Sequence, residues 1–266
     1  MRKALLFLAI AVISATLHAA TSTAPVDSLV PVFHAGDRFD NVFSRAMAIR
    51  APGFDDTVWR ISGSGSYRVP ENATSSQNMQ GRFRYDGRPE STGTVAFRDG
   101  GAVSCYNGKC SPNTDASGLI YNPAQWGAPP KNLRVGQSWT VDIAAPWELG
   151  TPGRQTVTVV AVNPVDQSAT LKREGYGDGA YADEVLRTRL HRDNKFYDVT
   201  LEPGRSHWYG YTTFRRGIVI SDELMTERSV MLSSKELGRI AGDERQYILL
   251  NAMPIPGKSI EVSKVH

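Results

Sequence analysis

The chain has little of what most enzymes and nucleic-acid binders need. Cysteine occurs twice and histidine five times in 266 residues. His34, His191, His207 and His266 form neither H-x-H nor H-E-x-x-H, so a zinc hydrolase has no basis here. No Gly-x-Ser-x-Gly elbow accompanies His207. Gly63-Ser64-Gly65 lacks the spacing and strand-turn-helix setting of a serine nucleophile. Asn113, Asp115 and Ser117 echo a calcium loop, but Ala124 stands where the bidentate glutamate belongs. Motifs that cradle phosphate or attach haem are missing, and neither a metal nor a cofactor is expected.

Charge of one sign is also lacking. Thirty basic residues face 27 acidic ones, and Arg2 and Lys3 of the basic set fall in a leader. A nucleic-acid partner calls for a concentrated basic stripe. Arg187, Arg189, Arg192 and Lys195 come nearest and read as a solvated strand face. Long apolar runs are confined to residues 4–13, which follow Arg2 and Lys3 and lead to Ala19-Ala20. That is the layout of a secretory signal peptide. The run is ten residues, and a spanning helix needs roughly 20. No membrane span is expected after cleavage, and the mature chain is expected in the periplasm or secreted.

What is present is period-two patterning broken by turn residues. Val157, Val159 and Ala161 alternate with Thr156, Thr158 and Val160, and Leu186, Thr188 and Leu190 alternate with Arg187, Arg189 and His191. Cys105 and Cys110 flank Asn107-Gly108, a tight-turn signal. In an oxidising compartment the pair is expected to form a disulfide that staples a hairpin. Composition divides the chain into a signal peptide (1–20), a flexible arm (21–36), a first β lobe (37–110), a Pro/Gly-rich connection (111–131), a second β lobe (132–252) and a polar tail (253–266). The lobes open alike: Gly36 precedes Phe39 as Gly136 precedes Trp139, by three residues each time. Ser233 and Glu236 resemble a capping box, which predicts a short helix. The fold class expected is mainly β: antiparallel sheets in a sandwich or partly open barrel, two related lobes, and one short helix near 234–241.

Val135-Gly136-Gln137-Ser138-Trp139, the Thr/Val-rich hairpins after it, and Trp208-Tyr209 ahead of Gly217-Ile218-Val219 carry a resemblance. Over roughly residues 131–232 the chain resembles uncharacterised exported β-rich families of Gram-negative bacteria. The resemblance implies an antiparallel fold and an extracytoplasmic setting, with no assigned reaction.

His207-Trp208-Tyr209-Gly210-Tyr211 is the stretch most suggestive of recognition. In a strand His207, Tyr209 and Tyr211 point one way, and Trp208, Gly210, Thr212 and Phe214 the other. The first set makes either an aromatic platform lining an open concave face or ordinary cross-strand packing. Arg215 and Arg216 would add an anion-reading rim. The leading expectation is an exported non-enzymatic protein that binds an envelope component, either an envelope protein or a polysaccharide. One alternative is a glycan-active hydrolase or lyase using Asp178 and Asp183, since paired carboxylates cleave glycosidic bonds. Another is a secreted inhibitor or toxin-neutralising protein.

Overall fold

The computed structural model describes residues 29–31, 33–71, 78–98, 101–112, 118–143, 152–178 and 186–255. The proposed signal peptide lies outside them. The alternating segments form strands as expected. They are β1 (Arg38–Arg50), β2 (Thr57–Arg68), β3 (Asn78–Tyr85), β4 (Ser91–Arg98), β5 (Gly101–Tyr106) and β6 (Lys109–Pro112). After the four-residue helix α1 (Pro123–Trp126) come β7 (Ser138–Ile143), β8 (Gly153–Asn163) and β9 (Ser168–Gly177). Then follow β10 (Leu186–Arg192), β11 (Lys195–Arg215), β12 (Ile218–Ser234) and β13 (Gly238–Ile255).

All thirteen belong to one open antiparallel sheet of order β6-β5-β4-β3-β2-β1-β13-β12-β11-β9-β8-β7, with β10 paired to the start of β11. The first strand pairs with the last over its own full length, from Arg38 opposite Ile255 to Arg50 opposite Asp243. At one end the sheet curls back on itself. Asp55 N–H donates to the carbonyl of His191 at 2.9 Å, the Thr57 hydroxyl donates to the carbonyl of Arg189 at 2.7 Å, and His191 Nδ1 meets Asp55 Oδ2 at 2.5 Å. Ile49, Leu190, Val199 and Leu232 are buried inside this curl.

The similar openings of the two halves fold alike. Gly36 and Gly136 both sit at positive φ, 82° and 88°. Their N–H groups reach the carbonyls of Val69 and Val159, beside the ends of the paired strands. Asp37 and Gln137 accept from the N–H three residues earlier, both at 2.7 Å. The aromatic three residues on turns inward in each case: Phe39 is buried, and Trp139 packs against the core.

The sheet's inner face is covered by the segment around α1. Asn122 caps the helix by accepting from Ala124 N–H at 3.1 Å, and Pro123 supplies the fixed φ of a first helical residue. Leu119, Ile120, Tyr121 and Trp126 are buried against the sheet. The helix expected near 234–241 is absent. Ser234 accepts from Leu237 N–H at 3.1 Å within a tight turn, and Gly238 takes φ 68° to start β13. A serine hydroxyl bonding three residues on serves a turn as well as a helix cap. Strands of 17 and 18 residues pairing from Ser221 to Ser234 outweigh one helical turn, whose nucleation is unfavourable.

Two ion pairs are buried on the inner face. Arg173 Nη2 donates to both oxygens of Asp222, at 2.9 and 3.0 Å, beneath the Trp126 ring 4.7 Å away. The Thr212 hydroxyl also donates to Asp222. Arg228 donates from Nε and Nη2 to Glu244 Oε1, at 3.0 and 2.6 Å. Removing one partner of such a pair strands a charge in the core. Arg173→Met is expected to cost about 3–5 kcal/mol in urea unfolding, and Arg173→Met with Asp222→Leu to regain most of it.

Candidate binding groove

The alternation read from the sequence holds at β11. Trp208, Gly210, Thr212 and Phe214 are buried on the inner face, and His207, Tyr209 and Tyr211 lie on the outer face. Those three are brought together. His207 stacks on Tyr176 at 4.5 Å and contacts Tyr209 at 5.2 Å, and Tyr209 and Tyr211 are 37% and 49% exposed. Glu174 accepts from Lys172 at 3.1 Å beside the row, and this bond, helped by His207, holds its carboxyl below the usual value. Arg215 lies at the end of β11, and Arg216 is in the β11–β12 turn at φ 49°, where its N–H donates to the Gln167 carbonyl. The row's Tyr176 and His207 line a hollow of about 640 Å³, and Tyr209 and Tyr211 are not among the residues that line a larger hollow over β1 to β5. Strand parity sends the row to the opposite face, because Trp208 and Phe214 are the residues the core takes.

Asp178 is exposed, 4.0 Å from Arg205. Asp183 lies outside the described residues, as do Asn113, Asp115 and Ser117 of the calcium-loop echo. Among the described residues no group of three histidine, cysteine or carboxylate side chains is arranged to hold a metal. No helix among them is long and apolar enough to cross a membrane.

The inner face carries a hollow that sequence reasoning missed. It has a volume of about 780 Å³ and lies over β1 to β5, closed on one side by Gly118 and Leu119. A second hollow of about 660 Å³ continues it toward β6, sharing Phe83, Tyr85, Ser104 and Tyr106. Its walls are rings meeting edge to face: Phe43 with Tyr85 at 5.2 Å, and Phe83 with Tyr106 at 5.5 Å. Beneath the rings lie strand glycines. A Cβ on Gly63 would stand 2.7 Å from the Phe43 ring, and one on Gly81 2.5 Å from the Tyr67 ring. In each case the ring belongs to the residue directly opposite on the next strand. Each aromatic lies across a position without a side chain, so the rings cover the sheet without filling the groove.

Charge enters from one side. Arg45 projects inward from β1 and donates from Nε and Nη2 to Gln246 Oε1, at 3.0 and 2.5 Å. Gln246 donates onward to Glu244, which is held by Arg228. A lateral chain of polar side chains thus fixes Arg45 at the cavity wall across β1, β13 and β12. Arg60 and Arg88 also line the hollow, and Asp86 is the one carboxylate among its described lining residues.

The expected disulfide is present. Cys105 and Cys110 face each other in the β5–β6 hairpin, with Asn107 and Gly108 at φ 50° and 76° in the turn. Ser104 and Tyr106, beside Cys105, line the groove. Cys105→Ala with Cys110→Ala is expected to cost about 2 kcal/mol by loop-closure entropy. Urea unfolding with and without reductant measures it.

No protein-family model matches the chain, and no curated protein does. Solved structures give weak structural similarity to distantly related β-rich proteins. A structure titled for lipid–protein interactions in lipovitellin shares 8% identity at a TM-score of 0.43, covering 86% of this chain. The chain spans only 26% of that protein's length. A protein of unknown function from the DUF3598 family of Nostoc punctiforme has 8% identity and a TM-score of 0.17, covering 78% of this chain and 94% of its own. The COG4313 outer membrane channel of Pseudomonas putida F1 has 8% identity and a TM-score of 0.20, covering 84% and 97%. The chain is a β-rich protein, stapled by one disulfide, with an open sheet that is similar only distantly to these structures.

Proposed function

We propose that the chain is an exported, non-catalytic protein, periplasmic or secreted, that binds an envelope component in the aromatic groove of its inner face. The observation that carries this reading is the groove itself, a hollow walled by aromatic rings. Binding sites are concave and largely preformed, with apolar walls and a few placed polar groups. Ile61 is 46% exposed on the same face, and Trp59, Tyr85 and Tyr106 are exposed with it. An exposed apolar stripe that runs into a cavity is typical of an interaction site. No histidine is among the described residues that line the two hollows, whose carboxylates are Asp86 and Glu90, and this favours binding over histidine-based acid–base chemistry. The leader at residues 1–20 and the disulfide support the compartment.

A second reading rests on the outer row of Tyr176, His207, Tyr209 and Tyr211. Exposed rings in line along a sheet suit a polysaccharide or a partner protein, with Arg215 and Arg216 as the rim. The two faces are separable with N-phenylnaphthylamine, whose fluorescence rises in apolar sites. Ile61→Glu places a charge at an exposed groove position and is expected to weaken dye binding about tenfold or more. Tyr211→Ala is expected to leave it unchanged. The opposite pattern would move the site to the outer row.

A further inference from the structure

We infer that the protein has a second site, apart from the aromatic groove, that takes a phosphate monoester group on the outer face of the curl. The site is a hollow of about 770 Å³ over β10 to β13, lined by Arg187, Thr200, Ser233, Lys235 and Arg239 among others. Strand register puts four of these in one row. Arg187 of β10 stands opposite Thr200 of β11, Thr200 opposite Ser233 of β12, and Ser233 opposite Arg239 of β13. The row faces away from the core, because Val199, Leu201 and Leu232 beside it take the inner face. Its middle, between the two hydroxyls, lies one and a half strand spacings from the Cα of either arginine, about 7 Å. An extended arginine spans that, so both ends of the row close on one small group.

The charges around the hollow do not cancel. Asp198 lines it and is held by Arg189 at 2.9 Å. Glu202 is held by Arg239 at 3.0 Å, and Glu236 by Lys195. Each carboxylate has a cation of its own, and Arg187 and Lys235 have no carboxylate partner among the described residues. Of the four cations that the sequence sets on this strand face, Arg192 pairs with Asp193 as well, which leaves Arg187 over. Arg239 reaches from β13 across β12 to Glu202 on β11, so its guanidinium is held above the strand between, with most of its five N–H donors unspent. Beneath, the Thr200 hydroxyl donates to the Ser233 carbonyl at 3.2 Å and lies 2.8 Å from the Ser233 hydroxyl, so one hydrogen of the pair is able to turn to an oxygen above. Two uncompensated cations call for a dianion, and donors on several sides call for several acceptor oxygens. A phosphate monoester brings about two negative charges and three such oxygens. A carboxylate brings one charge and two oxygens.

Titration of the mature protein with glycerol phosphate at low salt, followed by amide NMR, tests this. Shifts are expected to centre on Thr200 and Ser233, and dimethyl phosphate, with one charge fewer, is expected to bind about fivefold more weakly. Arg187→Met and Lys235→Met are each expected to weaken glycerol phosphate about fivefold, the scale of one exposed charge contact. Arg134→Met removes an exposed cation beside β7, outside the hollow, and is expected to change nothing. Asp198→Asn removes the lining carboxylate and releases Arg189, and is expected to tighten binding. N-phenylnaphthylamine binding is expected to be the same in all four variants, so this site and the groove stand or fall separately. Phosphatidylcholine vesicles with and without phosphatidate tell the sources apart: Arg187-dependent flotation with phosphatidate assigns the phosphate to a lipid head, and binding of the soluble ester alone assigns it to a soluble one. Equal losses from Arg187→Met and Arg134→Met would mean attraction by net charge only and would overturn the site. Dimethyl phosphate binding as tightly as glycerol phosphate, or no binding of glycerol phosphate, would overturn it too.

Discussion

The pairing of β1 with β13 is the constraint on which the structure depends. It joins residues about two hundred positions apart in sequence, in register from Arg38 opposite Ile255 onward. Without it the chain would be two separate meanders, each with a long open edge. Unpaired edges are exposed donors and acceptors that invite the wrong partner. With it, the inner faces of both halves become one surface. The polar chain from Arg45 through Gln246 and Glu244 to Arg228 crosses this seam. The groove borders it too, since Ile248 and Leu250 of β13 complete the wall begun by Phe43 of β1.

The second organising feature is the opposition of aromatic and glycine across strands. Glycine in a strand gives up packing and costs conformational entropy. A ring laid over it from the neighbouring strand returns contact area. Trp208 over Gly175 shows this in the core, where its Nε1–H also donates to Gln155 at 2.9 Å. Phe43 over Gly63 and Tyr67 over Gly81 repeat it in the first half. The outcome differs because the cover differs. Over Trp208 the segment around α1 is seated, with Gln125 accepting from Gln155. Over the rings of β1 to β5 only Gly118 and Leu119 reach across among the described residues, and space remains.

Much of this was legible in the sequence, and the limits are physical. Period-two alternation placed the strands because each side chain needs only its own neighbours to choose a face. Asn107-Gly108 between two cysteines marked a hairpin for the same local reason. The Gly136 to Trp139 opening and its counterpart at Gly36 were visible because a positive φ restricts the residue that can adopt it. The capping box at Ser233 was misread because its hydrogen bond is local while the choice between turn and helix was made by long-range pairing. The groove was invisible for a related reason. Gly63, Gly65 and Gly81 are ordinary strand glycines until register sets Phe43, Asn41 and Tyr67 against them. Which face of β11 met solvent was readable; that the hollow lay on the other face, beginning three strands away in the order at β1, was not.

The polar groups of the inner face separate what holds the protein together from what it is for. Arg173, Asp222 and Thr212 form a closed set, and so do Arg228, Glu244 and Gln246. Each buried charge there meets its opposite, so these groups fix the register of adjacent strands. Asn41 is buried on the same face, under the same desolvation cost, with its acceptor open to the cavity. Thr188 Oγ1 and Ser206 Oγ are likewise buried without a hydrogen-bond partner among the described residues, but neither lines this hollow. What sets Asn41 apart is its place at the wall of the hollow, where its acceptor faces space rather than a neighbouring strand.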